Sequence, residues 1–263
     1  MTTSPTTVAV MRGPHIKELD VVAGYAAVDW GQIDKVRTLM REAARSHSIM
    51  IVTGPVGVGK SFAAGRGAEA CATDPAMPAD VVWVELSTSA RGKALLLELY
   101  PQITGGLIPA PNATLQQMRC QLADALGDGH RLLVVDEAQH VGREAMLVLR
   151  WLMDQPATRA ALVLVGIPEL WRSLAPEMRS RAAYDIRLEV VADDEIASVL
   201  REYHPLFCDL EPDLLKFFNR VHARGRIRWW AHFLARAFHY AQARGCLDKE
   251  LAELVIDSMP RGA

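Results

Sequence analysis

The sequence predicts an α/β protein: a five-stranded parallel sheet covered by helices on both faces, followed by a small all-helical domain. Three observations carry this. Short apolar runs alternate with helical stretches along residues 48–190. The runs are continuously apolar rather than alternating, which is the pattern of parallel strands buried on both faces. Beyond Val191 only helical stretches follow, without another strand-like run.

The elements follow in order. Residues 1–22 are rich in Thr, Ser and Pro and read as an arm. "WGQIDKVRTLMREAAR", Trp30 to Arg45, places Ile33, Val36, Leu39 and Met40 at helical spacing, so a helix precedes the first strand. The strand runs are "SIMIVT" (48–53), "VVWVEL" (81–86), "LLVV" (132–135), "ALVLV" (161–165) and "DIRLEV" (185–190), with helices expected around 60–72, 91–100, 114–126, 142–154 and 168–176. Helices near 193–203, 211–222, 226–243 and 248–258 complete the chain, the first with Asp193, Asp194 and Glu195 in its opening turn and the third stopped by Gly245. The expected division is an arm over 1–22, an α/β domain over 23–191 and a small helical domain over 192–263.

Composition narrows the classes. The chain has 263 residues, 50% apolar and 23% charged, which excludes a disordered segment and allows one α/β domain plus a small accessory one. A net charge of −2 gives no global attraction to nucleic acid, so DNA binding requires a local basic patch. Cys71, Cys120, Cys208 and Cys246 lack C-x-x-C spacing and read as reduced thiols rather than disulfides or zinc ligands. No run of about 18 apolar residues and no signal peptide are present, so a cytoplasmic protein with no membrane partner is expected.

Two motifs carry the chemistry. "GPVGVGKS", Gly54 to Ser61, matches G-x-x-x-x-G-K-[ST] between a strand run and a helical stretch, the context the motif requires. Gly54, Pro55, Val56, Gly57, Val58, Gly59, Lys60, Ser61 and Phe62 are therefore the expected nucleotide-binding segment. The glycines let backbone N–H groups face phosphates, Lys60 reaches the β and γ phosphates, and Ser61 offers a hydroxyl to Mg²⁺. In "LLVVDEAQH", Leu132 to His140, a buried strand delivers two acids to its tip. Asp136 is expected beside Ser61 in the Mg²⁺ shell, and Glu137 is placed to activate the attacking water. Gln139 and His140 either sense the γ-phosphate or cap the next helix.

The strand "ALVLVGIPEL" is expected beside the two motif strands in the sheet. Its tip reads Gly166, Ile167, Pro168 and Glu169, with no Asn or Thr to orient water, so hydrolysis is expected to be slow or to use Gln139 or Glu169. In "EMRSRAAYDIRL", Arg179 and Arg181 precede the fifth strand, where an arginine can reach a neighbouring subunit's γ-phosphate; Arg181 is favoured. In "GRIR", Arg228 is the arginine expected to contact nucleotide from the lid.

Together, "GPVGVGKS", "DEAQH", "VGIPEL", the arginine pair and the helical lid resemble the AAA+ ATPases, over roughly residues 25–245. Within them, "DEAQH", "GIPEL" and the compact length resemble the Mu B, TnsC and TniB group of transposition proteins. That resemblance implies ATP and Mg²⁺ as cofactors, homo-oligomers that include helical filaments on double-stranded DNA, and recruitment and stimulation of a DDE transposase. The extra N-terminal DNA-binding domain of the Mu protein does not carry over, because the arm here is too short. The DNA-facing positions expected on such a filament are Arg91 and Lys93 in "STSARGKALLLEL", with Arg143 after the second motif strand.

The segment from Lys216 to Arg244 holds seven Lys and Arg residues and no acid, with Trp229, Trp230, Phe233, Phe238 and Tyr240 interleaved; it reads first as lid core and second as a DNA or transposase surface. A helicase is excluded, because no second sheet pattern follows residue 190. Two other functions stay open: an ExeA-like ATPase of secretion or envelope assembly, whose usual membrane and wall-binding segments are not seen here, and a nucleotide-gated binding module with little turnover.

Overall fold

A computed structural model describes residues 22–24, 26, 28–85 and 92–259. Helix α1 (Gly31–Ser46) precedes β1 (Ile49–Thr53); α2 (Lys60–Ala72), β2 (Asp80–Glu85), α3 (Gly92–Ile103) and α4 (Leu115–Ala125) lead to β3 (Arg131–Asp136). Then come α5 (Arg143–Met153), β4 (Ala160–Gly166), the short α6 (Glu169–Ser173) and α7 (Pro176–Arg179), and β5 (Ala182–Arg187). The last four helices are α8 (Ile196–Tyr203), α9 (Pro212–Phe218), α10 (Ile227–Arg244) and α11 (Lys249–Asp257).

The five strands form one parallel sheet in the order β2-β3-β4-β1-β5. β4 lies beside both strands that lead into the motifs, as expected, and the structure sets it between them. Every residue of β1 and β4 is buried, as their unbroken apolar runs require. Alternate residues serve opposite faces. Ile49, Ile51, Leu133, Val135, Leu162 and Leu164 join one core with Leu95, Leu96, Leu99 and Leu149 of α3 and α5. On α2, Gly67 packs against Met40 of α1, at a position where a Cβ would collide with the Met40 side chain.

The chain divides into two compact units. The described part of one comprises Lys35–Thr53 and Lys60–Arg187, the sheet with its helices. That of the other comprises the segment up to Asp34, the loop Gly54–Gly59 and Leu188 onward. The second unit has its own core, in which Phe207, Phe218, Trp230 and Phe233 are fully buried, with Phe207, Trp230 and Phe233 in mutual ring contact.

Several boundaries differ from the sequence-based expectation, three of them for a visible physical reason. The fifth strand is β5 over 182–187 rather than 185–190. Its ladder ends at Arg187 opposite Thr53, because β1 turns there into the Gly54 loop and offers no further partner. It starts earlier because backbone pairing needs no apolar side chain. The helix expected over 168–176 is two pieces, α6 and α7, interrupted at Leu174 and Ala175 ahead of Pro176, which opens α7. Asp193 and Asp194 precede α8 instead of sitting in its first turn; Asp193 instead accepts hydrogen bonds from Asn219 and Arg220. The glycine stop of α10 is as expected: Gly245 has φ 85° and donates its N–H to Ala241 O at 2.7 Å.

Candidate nucleotide site

The Gly54–Gly59 loop continues directly from β1 and ends at Lys60, the first residue of α2. Gly57 and Gly59 have φ of 84° and 94°, a left-handed backbone that side-chain-bearing residues enter only at a cost. Val56 and Pro55 are not buried, whereas Val58 is, so the loop presents one face and anchors the other. Lys60 is buried, Ser61 and Phe62 half-buried. The orphan N–H groups at the start of α2 and its dipole suit an anion.

At the carboxyl end of β3, Asp136 is 2% exposed and accepts a hydrogen bond from the Ser61 hydroxyl. It also accepts from the Glu137 N–H at 2.9 Å. Burial pushes its carboxyl above the ordinary carboxylate range; the Ser61 and Glu137 hydrogen bonds oppose this, and the neighbouring charges of Glu137 and Glu85 reinforce it. A buried acid flanked by two others and touching a hydroxyl is a donor set that fits Mg²⁺, which takes a carboxylate oxygen and a hydroxyl along with phosphate and water. Among the described residues no group of three or more His, Cys, Asp or Glu forms a complete cation cage.

Glu137 has a left-handed backbone, φ 50° and ψ 39°, and is half-buried. Its carboxylate accepts a hydrogen bond from Gln139 Nε2, and Gln139 Oε1 accepts one from the Ile167 N–H at 3.3 Å. Neither Gln139 nor His140 caps α5: its N-cap is Gly142, with no side-chain cap, and His140 is exposed in a 3-10 turn. Ile167 is half-buried, and Glu169 is exposed at the start of α6.

Other positions are more scattered. Arg181 is exposed and paired with Asp154, while Arg179 is half-buried at the end of α7. Both precede β5, at the amino-terminal end of the parallel sheet, whereas Asp136 is at the carboxyl end; a five-residue strand separates these edges by roughly 17 Å. Neither arginine therefore belongs to the cluster around Asp136. Arg228 is exposed, and its backbone N–H donates to Gly57 O at 3.0 Å. Arg91 lies outside the described residues. Lys93 and Arg143 are exposed at the starts of α3 and α5, which meet where Glu144 packs on Gly92.

The basic segment of the lid is core and ion pairs to a large extent. Trp230, Phe233 and Phe238 are buried. Lys216, Arg220 and Arg244 pair with Asp213, Asp193 and Glu250, acids that lie outside the segment.

Sequence reasoning missed Glu85. It stands opposite Asp136 in the β2–β3 register, a relation that strand pairing alone creates. Sequence reasoning named Gln139 as a stand-in for the missing polar tip of β4, but not as the bridge from Glu137 to the Ile167 N–H.

This fold and these paired motifs define a P-loop nucleotide-binding protein. A family model described as "AAA domain" matches residues 42–174, just over half of the chain, and the chain belongs to that family. The fold is that of AAA+ ATPases. The ORC2 protein of Aeropyrum pernix, solved as ADPNP and ADP complexes, has a TM-score of 0.70 at 19% identity, over 93% of this chain and 72% of its own. ORC1 of the same organism, solved in complex with DNA, gives 0.66 at 15% over 88% and 65%. The Holliday junction branch migration motor RuvB of Thermotoga maritima gives 0.57 at 16% over 87% and 69%. No curated protein sequence matches the chain. Among the described residues no helix is long and apolar enough to cross a membrane.

Proposed function

We propose that this protein is an ATP-hydrolysing switch that assembles on double-stranded DNA and presents it to a DDE transposase. The observation that carries the ATPase reading is the Ser61–Asp136 hydrogen bond with Glu137 beside it, reached from separate elements of the sheet unit. Mg²⁺ bound there would neutralise charge on the terminal phosphates. Lys60 binds the β and γ phosphates, the loop N–H groups orient them, and Glu137 accepts the proton of the attacking water. Arg228 contacts the nucleotide from the lid, and Arg181 or Arg179 completes the site of a neighbouring subunit. Their distance from Asp136 in their own subunit supports a role in trans, and hence a homo-oligomer.

The DNA reading is supported by Lys93 and Arg143, exposed on adjoining helix starts where phosphate contacts are favourable. It is also supported by similarly folded proteins solved with DNA. The transposase reading rests on the "DEAQH" and "GIPEL" resemblance.

The test is double-stranded DNA binding with ATP, with ADP and without nucleotide, followed by size analysis, for the native chain and Glu137→Gln. ATP-dependent, DNA-bound assemblies that persist in Glu137→Gln support the switch. Indifference to DNA in all three conditions refutes it and leaves an AAA+ ATPase with another partner. Capture of a DDE transposase by the ATP-assembled complex, and not by the ADP form, tests the last step.

A further inference from the structure

We infer that Gln139 is the positioning residue for Glu137, doing from the β3 turn what a polar side chain at the tip of β4 would otherwise do. The inference rests on the hydrolytic reading of Asp136 and Glu137.

Ile167 cannot offer a polar side chain at the β4 tip, yet the tip is not without a polar partner. The Gln139 amide reaches across and accepts from the Ile167 backbone N–H, while its NH₂ donates to Glu137 Oε2. Chemistry fixes the direction of the amide. The reverse orientation would set its carbonyl against a carboxylate and its NH₂ against an N–H, losing both bonds.

The berth is made by Gly166. A Cβ there would lie 2.6 Å from Gln139 Oε1, so a larger residue at the end of β4 would drive the amide away. Glu137 is thereby held at two points. Its N–H is tied to Asp136 Oδ1, and its carboxylate is tied through Gln139 to the end of a fully buried central strand. Among the described residues only Oε2 is engaged, which leaves Oε1 to accept from water. A base referenced to a rigid strand rather than to its own turn is what orientation-sensitive proton abstraction requires.

The experiment compares ATP turnover, KM and nucleotide affinity for the native full chain, Glu137→Gln, Gln139→Leu, and Gln139→Leu combined with Ile167→Asn. Absent native turnover, or turnover that survives Glu137→Gln, overturns the hydrolytic reading and the inference with it. Given Glu137-dependent turnover, Gln139→Leu is expected to lower kcat roughly 10- to 100-fold, with KM and the ATP and ADP affinities within about twofold of native. Ile167→Asn is expected to restore part of that loss by returning a polar group to the β4 tip.

A kcat for Gln139→Leu within about threefold of native, or a loss that falls on KM with kcat kept, overturns the inference and leaves the hydrolytic reading standing. No recovery with Ile167→Asn in a folded chain overturns the substitution of one residue for the other. Should Gln139→Leu not fold, Gln139→Asn, one methylene too short to span both partners, carries the same expectation and the same refutation.

Discussion

Replacing Asn219 by alanine should destabilise the helical unit by about 2–5 kcal/mol. Asn219 is 1% exposed at the end of α9, where the chain passes through a π-helical turn. Its Oδ1 accepts from Trp230 Nε1 at 3.1 Å, and its Nδ2 donates to Asp193 Oδ1 at 2.8 Å and to Val191 O at 3.4 Å. Trp230 is fully buried, so its N–H would be left without acceptor or water, at about 1–3 kcal/mol. Asp193 is partly exposed and keeps Arg220, so its lost bond costs about 1 kcal/mol or less. The vacated volume contributes on the order of 1 kcal/mol more.

Urea unfolding followed by circular dichroism measures the sum. A loss under about 1 kcal/mol would mean that Trp230 finds another acceptor, and would refute the reasoning. Adding Trp230→Phe removes the orphaned donor. The double variant should then be more stable than additivity of the two single losses allows, by about 1 kcal/mol. The consequence reaches the phosphate loop: Val191 N–H is bonded to Gly225 O, and three residues on Arg228 N–H is bonded to Gly57 O. Weaker ATP binding should accompany the lost stability.

Asp193 adds a pH signature. Hydrogen bonds from Asn219 and then Arg220 hold its carboxyl below the ordinary value of 3.8. A depressed carboxyl stabilises the fold above that value and loses the contribution as pH falls through the lower, folded one. The cost of Asn219→Ala should therefore shrink below about pH 4, as unfolding curves at pH 7 and pH 3 would reveal. Arg181→Ala should change stability by less than about 1 kcal/mol, since its pair with Asp154 is half exposed, yet lower turnover on the order of 10³-fold if it acts in trans. An equal loss at all protein concentrations, or none, would count against that role.

Lys93→Ala and Arg143→Ala should each weaken DNA binding uniformly across sequences and reduce the salt slope by about one; an unchanged slope removes the residue from the interface. Burial raises the Cys71 thiol to about 12, while Cys120, Cys208 and Cys246 are exposed. A thiol-alkylating reagent at neutral pH should thus modify those three in the folded chain and reach Cys71 only on unfolding, as mass spectrometry would count.

Local and periodic features are legible in the sequence. The Gly54–Ser61 loop must be a phosphate-type turn, because its glycines and the strand and helix around it are chain neighbours. The all-buried strands are legible from unbroken apolar runs, and the end of α10 from Gly245. The β5 limits are not, because a strand ends where its partner does, and Thr53 is distant in sequence from Arg187. The basic lid segment misleads by charge alone, since the acids that neutralise Lys216, Arg220 and Arg244 lie outside it.

By itself the sequence determined the class of fold, the parallel sheet with its helical unit, and the loop and strand tip proposed to carry the nucleotide chemistry. These follow from periodicity and from motifs whose residues are contiguous. Only the tertiary structure decided that Glu85 stands beside Asp136, that Gln139 bridges Glu137 to β4 in the space left by Gly166, and that Arg228 meets Gly57 through its backbone. Those relations depend on strand register and on packing between residues far apart in the chain, which no local pattern of side chains encodes.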